Sequence, residues 1–210
     1  MGNAMYHPAI TSVRACDGCQ QTPVVIVGKE ISDLVEQQAA ILRPETLVDE
    51  FKKNGVTHVV TIPDSETNYL YELMLEQDWL DVVPISREGE GPSTALGLCV
   101  AGKTPVVLIQ NTGMMEAGDS IRGMALDAGF PMVFVVGYRG WTRRGVIRDS
   151  AAKYTEPFLN AFGLDYYFVE ANTDGPRITT AFKEAEKTKR PVIVLIGDEY
   201  HGWNREPSST

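Results

Sequence analysis

The stretch DVVPISREGEGPSTALGLCVAGKTPVVLIQ, residues 81–110, contains the structural unit from which most of the chain is built. An apolar run (81–85) leads through a polar loop (86–91) into a helix of small residues (91–102) and a second apolar run (105–110). Short apolar runs bounded by turn residues predict strands that are buried on both faces. Two such strands joined through a helix form a β-α-β unit with parallel strands, so the stretch predicts an α/β fold.

The same alternation continues on both sides of this unit, from residue 44 to residue 197. Further strands are predicted at 56–62, 131–137, 166–169 and 191–197, and further helices at 44–55, 66–77, about 116–128, 153–163 and 174–189. The pattern predicts a doubly wound, mainly parallel six-stranded sheet of flavodoxin-like type, with helices on both faces. Sites in such folds lie in the loops after the strands, which here are 63–66, 86–91, 111–119 and 138–150.

Composition narrows the classes of partner. The chain has 210 residues, 43% of them hydrophobic, which suits one domain with a proper core, and a net charge of -9. An acidic chain without a long basic stretch is not expected to bind nucleic acid or an anionic membrane. No stretch approaches the ~20 apolar residues of a membrane span, and no secretory signal is evident. We therefore expect a cytoplasmic protein.

The two ends do not follow the alternation, and we expect three parts: an N-terminal extension or arm (1–43), the α/β domain (44–200) and a tail (201–210). Cys16 and Cys19 form a lone C-x-x-C in the extension. One pair cannot complete a four-ligand zinc site. The pair also does not follow a strand that leads into a helix, as a thioredoxin-like motif would. No metal site is therefore predicted in this chain.

Several catalytic motifs are absent from the sequence. It contains no G-x-G-x-x-G after the first strand and no G-x-S-x-G elbow. Its three histidines, His7, His58 and His201, do not suggest a Ser-His-Asp triad. The chemistry must therefore come from carboxylates, amides, hydroxyls and arginines, or from a cofactor.

The loop after the strand at 81–85 raises a specific question, because it carries both Glu88 and Glu90. Both carboxylates stand where an apolar strand turns into a helix of small residues that can pack closely. One interpretation is a solvated turn. The other is that one of the carboxylates acts inside a buried site.

Four stretches of the chain carry a family resemblance: IPDSETNYL (62–70), REGEGPSTALGLCVAGK (87–103), VVLIQNTGM (106–114) and FPMVFVVGYRG (130–140). In order and spacing they resemble the pyrimidine-binding domain of thiamine-diphosphate-dependent 2-oxo-acid decarboxylases. The likeness is greatest to the sulfopyruvate decarboxylase alpha subunit and to the equivalent half of phosphonopyruvate decarboxylase, and it spans about residues 44–197.

The resemblance implies an answer to the question of the two glutamates. In this family one glutamate accepts a hydrogen bond from N1′ of the cofactor's aminopyrimidine ring. The contact favours the imino tautomer, whose nitrogen removes the proton from C2 of the thiazolium ring. The register to Gly97, nine residues on, implies that this glutamate is Glu88 and not Glu90.

Other site residues are implied in the same way. Asn111 is expected near the substrate and the aminopyrimidine as a second catalytic residue. The expected cofactor contacts, besides Glu88, are Gln110, Thr112, Gly113 and Met114, and the expected substrate contacts are Asp64, Ser65, Arg139 and Arg143. Plainer interpretations stay open. Ser65 can cap a helix, Asn111 and Thr112 can belong to an ordinary turn, and the arginine loop 139–148 can be a solvated surface.

Two departures from the family bear on substrate and partner. Relatives carry a histidine after the RG loop, where this chain reads RDSAAKYTEP (148–157), so the substrate is left open. Single-chain relatives also carry a second domain with a G-D-G…N motif that binds magnesium and the diphosphate, whereas this chain has only GDEYHG (197–202). We therefore expect the alpha-type subunit of a heteromeric decarboxylase for a small anionic 2-oxo acid.

In this reading a beta-type subunit holds Mg²⁺ and shares the thiamine diphosphate, in a homo- or hetero-oligomer. The alternatives are a non-catalytic, regulatory relative and a flavodoxin-like protein that binds a small anion.

Overall fold

The computed structural model describes residues 42–63, 68–141 and 149–197, without the side chains of residues 68 and 69. Almost all of the predicted N-terminal arm, including Cys16 and Cys19, and the predicted tail lie outside these ranges. The described residues contain the α/β domain that the sequence predicts. Within those ranges no helix is long and apolar enough to cross a membrane.

Six strands form one sheet in which every neighbouring pair is parallel. Their bounds are β1 His58–Thr61, β2 Asp81–Pro84, β3 Pro105–Gln110, β4 Val133–Gly137, β5 Asp165–Val169 and β6 Val192–Ile196. Their order across the sheet is β2-β1-β3-β4-β6-β5. The order begins as in flavodoxin-like folds and then exchanges the last two strands. The predicted doubly wound parallel sheet is confirmed.

Helices cover both faces of the sheet. Their bounds are α1 Pro44–Lys53, α2 Asn68–Leu75, α3 Glu90–Val100, α4 Asn111–Glu116, α5 Gly118–Ser120, a π-helix Ile121–Leu126, α6 Ala151–Phe162 and α7 Pro176–Thr188. Helices α1, α2 and α7 pack into one hydrophobic cluster, and α3, α4, the π-helix and α6 pack into the other.

The central strands β3, β4 and β6 are almost entirely apolar because successive side chains enter different clusters. In β3, Val106 and Leu108 belong to the first cluster, while Val107 and Ile109 belong to the second. Side chains of a strand point alternately to the two faces of a sheet, so a sheet covered on both faces needs apolar residues at every position. The burial of each such side chain contributes about 1.5–3 kcal/mol.

Strand β2 forms one edge of the sheet and is only partly buried. Pro84 is tolerated there because an edge strand has no further neighbour that needs its missing N–H. The edge position brings the loop that follows β2 beside the ends of β1 and β3. It is this loop that carries Glu88 and Glu90.

The structure corrects one part of the secondary-structure prediction. Residues 111–119 were predicted as a loop and about 116–128 as a helix, but α4 begins at Asn111, directly after β3. The glycines of this stretch look like turn residues, yet Gly118 allows a close helix contact. A Cβ built on it would lie 3.3 Å from Cε2 of Phe158. After α5 the chain forms the π-helix, at whose end the N–H of Asp127 donates to the carbonyl of Arg122, five residues earlier, at 2.9 Å.

Candidate active site

The order of the strands defines one switch point at the carboxyl edge of the sheet, and we call the space at this point the crevice. The chain runs from β1 outward to β2 and then crosses back past β1 to β3, so its direction reverses between β1 and β3. Ligands of open α/β sheets bind at such a switch point. The loop after β2 and the start of α4 after β3 both lie at this crevice.

The side chain of Glu88 lies directly against the α-carbon of Gly113, in the first turn of α4. A Cβ built on Gly113 would lie 2.7 Å from Oε1 and 2.8 Å from Cδ of Glu88, and closer still to its Cγ. A side chain at position 113 would fit only if Glu88 moved, so glycine is what allows Glu88 to lie there. The loop after β2 and the helix after β3 therefore meet through these two residues.

The two glutamates of the loop have different surroundings. Glu90 is exposed, and its Oε2 accepts the backbone N–H of Ser86 at 2.9 Å. Glu88 is half-buried, and within the described part of the chain no group donates a hydrogen bond to its carboxylate. Glu90 therefore stabilises the start of its own helix, whereas Glu88 presents an open acceptor at the crevice.

Asn111 is fully buried and connects three elements. Its Nδ2 donates to the carbonyl of Arg139 and to Oγ1 of Thr155, both at 3.0 Å, and its Oδ1 accepts the N–H of Thr112 at 3.0 Å. Both amide hydrogens are thus used inside the protein. The predicted contact of Asn111 with the substrate stays a prediction. The geometry itself shows a residue that fixes the ends of β3 and β4 against α6.

The other predicted cofactor residues lie at the same place in the chain but face different ways. Thr112 is exposed, and Gln110 is half-buried at the end of β3. Met114 is fully buried in the second hydrophobic cluster, so in this geometry it can contact a ligand only through its backbone. The roles of all three stay predictions.

Arg139, the described member of the arginine loop, is held by Asp149. Its Nε donates to Oδ2 of Asp149 at 3.0 Å, and Oδ1 of Asp149 accepts the N–H of Ala151 at 2.9 Å. The Ala151 N–H and the Arg139 guanidinium lower the pKa of Asp149, which keeps it charged. Nη1 and Nη2 of Arg139 donate to nothing in the described ranges, and the side chain is half-exposed. The guanidinium therefore presents a pair of donors.

Three predicted substrate residues, Asp64, Ser65 and Arg143, lie outside the described residues, as do Arg144 and Arg148.

A further polar network was missed by the sequence reasoning. The hydroxyl of Tyr138 lies 3.1 Å from Oε1 of Glu156, and the hydroxyl of Tyr166 donates to Oε2 of Glu156 at 2.9 Å. Burial, reinforced by Glu156, raises the pKa of Tyr138, so this hydroxyl stays protonated and able to donate. The network holds α6 in place, the helix that also carries Thr155. No sequence motif indicates this network, because its members come from the residue after β4, from β5 and from α6.

The comparison with protein families identifies the domain. Residues 44–164 match the family described as thiamine pyrophosphate enzyme, N-terminal TPP binding domain. The match covers more than half of the 210 residues, and the chain belongs to this family. The resemblance inferred from the four sequence stretches is confirmed.

Individual relatives are sulfopyruvate decarboxylases and their alpha subunits. The chain is 23% identical over 158 residues to the sulfopyruvate decarboxylase of Methanosarcina acetivorans, which covers 74% of this chain and 40% of that protein. It is 27% identical over 96 residues to the enzyme's subunit alpha from Methanothermobacter thermautotrophicus, covering 46% and 58%. It is 20% identical over 162 residues to subunit alpha from Methanocaldococcus jannaschii, covering 76% and 96%. The chain thus spans less than two thirds of the first two relatives.

A solved structure shares the fold. The 2-oxoglutarate:ferredoxin oxidoreductase from Magnetococcus marinus superposes with a TM-score of 0.55 and 18% identity, covering 75% of this chain and 29% of that one.

The residues at the crevice fit the aminopyrimidine half of thiamine pyrophosphate. A ring nitrogen that donates a hydrogen bond needs an acceptor that is held in place, partly shielded from water and not already bonded. Glu88 meets these three conditions, since it lies against Gly113, is half-buried and accepts no hydrogen bond within the described ranges. Glu90 fails two of them, since it is exposed and already accepts a hydrogen bond from Ser86.

Proposed function

We propose that this chain is the alpha-type subunit of a heteromeric thiamine-diphosphate-dependent decarboxylase. Its substrate would be a small anionic 2-oxo acid that resembles sulfopyruvate or phosphonopyruvate. The observation that carries the proposal is the open carboxylate of Glu88, held against Gly113 in a chain of this cofactor family. The relatives named as sulfopyruvate decarboxylase, and as its subunit alpha, support the reaction and the need for a second subunit.

Glu88 acts by accepting the hydrogen bond of N1′ and holding the proton there. Bound thiamine diphosphate supplies the electron sink that lets a 2-oxo acid lose carbon dioxide. The anionic carboxylate keeps N1′ protonated, and help of this acid–base kind typically contributes about a hundredfold to ten-thousandfold in rate. The neighbouring cation Arg87 is paired with Glu116, so it is not the direct partner of Glu88.

The start of α4 forms the remainder of the aminopyrimidine site. Gln110, Thr112, Gly113 and Met114 line it, Met114 through its backbone. Asn111 lies beneath this site, where it keeps the ends of β3 and β4 together, and it is one of the catalytic residues. The support is its set of three hydrogen bonds, which reach Arg139, Thr155 and Thr112.

The anionic end of the substrate is bound by Arg139 together with Arg143, Asp64 and Ser65. Arginine suits sulfonate, phosphonate and carboxylate groups because its planar fork donates two parallel hydrogen bonds. The support comes from Arg139, whose Nε is fixed by Asp149 while Nη1 and Nη2 have no acceptor within the described ranges.

A beta-type subunit holds Mg²⁺ and the diphosphate, and it docks on the surface formed by residues 91–102 and 111–119. The environment of Gly97 supports this surface. A Cβ built on Gly97 in α3 would have no described atom within 4 Å, so packing among the described residues gives no reason for glycine there. Val100, further along the helix, is an exposed apolar residue. A close partner backbone would explain both features.

The arm (1–43), the cofactor domain (44–200) and the tail (201–210) are proposed as the parts of a cytoplasmic protein. The family match, which begins at residue 44, supports the first boundary.

Reconstitution tests the function. The chain would be mixed with a beta-type subunit, thiamine diphosphate and Mg²⁺, and carbon dioxide release from sulfopyruvate, phosphonopyruvate and pyruvate would be measured. We expect turnover of an anionic 2-oxo acid by the complex and none by the chain alone. Turnover that depends on the partner but not on Glu88 would point to a regulatory relative. Binding of sulfonates without any thiamine diphosphate would point to a small-anion binding protein.

A further inference from the structure

A third glutamate, Glu116, contacts the loop that carries Glu88. Its Oε2 accepts the backbone N–H of Gly89 at 2.6 Å, and its Oε1 pairs with the guanidinium of Arg87. These two partners are the residues on either side of Glu88. Glu116 is the last residue of α4, so the contact joins the helix after β3 to the loop after β2.

Helix α4 contacts the loop at two points. Gly113 receives the side chain of Glu88, and Glu116 binds the backbone beside it. Residues three apart in a helix lie on the same face, one turn from each other. One face of α4 therefore provides both the space that Glu88 occupies and the anchor for its neighbours.

Glu88 depends on such an anchor because no described residue holds its carboxylate by a hydrogen bond. No group of the described chain donates to its carboxylate, so the path of the backbone determines where that carboxylate points. On the other side of the loop, Glu90 accepts the N–H of Ser86. The bond between Ser86 and Glu90 stays within the region after β2. The bond from Gly89 to Glu116 lies next to Glu88 and joins this loop to α4.

We propose that Glu116 is a positioning residue, which holds residues 87–89 so that Glu88 faces Gly113 and the crevice instead of solvent. This role rests on the proposed function of Glu88 and adds a residue that acts through it. The glycine at 89 agrees with the role, since a Cβ there would lie 3.2 Å from Oε2 of Glu116. The hydrogen bond and charge of Arg87 lower the pKa of Glu116. Hydrogen bonds to a charged acceptor are the stronger ones.

A surface ion pair without a positioning role would behave differently. Exposed arginine–carboxylate pairs often contribute nothing measurable to stability, and their loss has no effect on a residue that they do not touch. Glu186 offers a matched comparison, because it is an exposed glutamate paired with Lys189 in α7, away from the crevice.

The first test uses the isotope-labelled full chain without cofactor. Amide hydrogen exchange of Gly89 and the backbone resonances of Gly113 would be compared in wild type, Glu116→Ala, Glu116→Gln, Glu88→Ala and Glu186→Gln. We expect Glu116→Ala to speed exchange at Gly89 by roughly tenfold, the equivalent of a ~1.4 kcal/mol hydrogen bond. Glu116→Ala should also shift the backbone resonances of Gly113 in the same direction as Glu88→Ala does. Glu186→Gln should change neither.

The second readout is exchange of the C2 proton of thiamine diphosphate in the reconstituted complex. Glu116→Ala should slow it by about tenfold to a hundredfold, since small displacements of a catalytic group have effects of that size. Glu116→Gln, which keeps the shape of the side chain, should slow it less and covers the case in which the alanine variant unfolds.

The outcomes separate the two proposals. If amide exchange at Gly89 is unchanged in both Glu116 variants, the anchoring bond is overturned. If exchange at Gly89 changes but the resonances of Gly113 do not shift, the positioning of Glu88 is overturned. Failure of the wild-type complex to exchange C2 overturns the proposed function, while the resonances of the chain still decide the role of Glu116.

Discussion

The carboxylate of Glu88 occupies the space that any side chain at position 113 would need. A Cβ on Gly113 would lie 2.7 Å from Oε1 of Glu88, closer than non-bonded atoms approach. The loop after β2 and the helix after β3 are thereby joined at the switch point of the sheet, where ligands of such folds bind.

Gly113→Ala should displace Glu88 and slow C2 exchange of the cofactor in the reconstituted complex by about tenfold to a hundredfold. The reason is steric, since the new methyl group and the carboxylate need the same space. Gly123→Ala is the matched control, because a Cβ there would meet no atom of the described residues within 4 Å. Equal exchange rates in both variants would mean that Glu88 does not need its place against residue 113.

Asn111→Ala should lower the free energy of unfolding by about 1–3 kcal/mol, because it removes a buried amide and leaves its partners without hydrogen bonds. The carbonyl of Arg139 and the hydroxyl of Thr155 lose their donor. Urea denaturation of the single chain measures the effect. Thr112→Ala, at an exposed neighbouring position, should change the free energy by less than about 0.5 kcal/mol. Equal effects would show that the buried network adds no stability.

The Arg87–Glu116 pair should make stability depend on pH in the acidic range. Because the folded-state pKa of Glu116 is lowered from 4.5, its contribution is fully present above 4.5 and is lost as pH falls through the lowered value. The difference in Tm between wild type and Glu116→Gln should therefore shrink from neutral pH to well below 4.5. A difference that stays constant over that range would contradict the linkage.

Gly97 substitutions should separate the stability of the chain from assembly. Gly97→Ala should raise the free energy of unfolding by roughly 0.5–1 kcal/mol, because alanine is a better helix former and nothing in the described chain obstructs it. Gly97→Leu should leave the chain folded but weaken its association with the beta-type subunit, measured by sedimentation of the mixture. Unchanged association with a leucine at 97 would place the interface elsewhere.

The sheet could be predicted from the sequence because its signal is local. Runs such as PVVLI (105–109) are apolar at every position, as a strand covered on both faces requires. Helix α4 was not predicted, because the local sequence around it is misleading. Its glycines resemble turn residues, but Gly113 and Gly118 are needed for close contacts with Glu88 and Phe158. Those contacts come from distant parts of the chain.

The choice between Glu88 and Glu90 shows the same division. The sequence distinguished them only through the register of a resembling family. The structure gives a separate physical reason, since Glu90 is bonded to Ser86, whereas within the described ranges no group donates a hydrogen bond to Glu88. Glu116 had no signal at all, because it is 28 residues after Glu88 in a stretch predicted as a loop. Its role depends on a bond to a backbone N–H.

Exchange of the C2 proton of bound thiamine diphosphate tests the central claim most directly, since it needs no knowledge of the true substrate. Glu88→Gln and Glu90→Gln would be compared with wild type in the reconstituted complex, each checked for folding by thermal denaturation. We predict that Glu88→Gln slows exchange by about a hundredfold to ten-thousandfold, because the amide keeps the size but loses the anion. Glu90→Gln should stay within a few-fold of wild type, because glutamine can still accept from Ser86. Loss of exchange in Glu90→Gln alone, or in neither variant of an active complex, would contradict the assignment of Glu88.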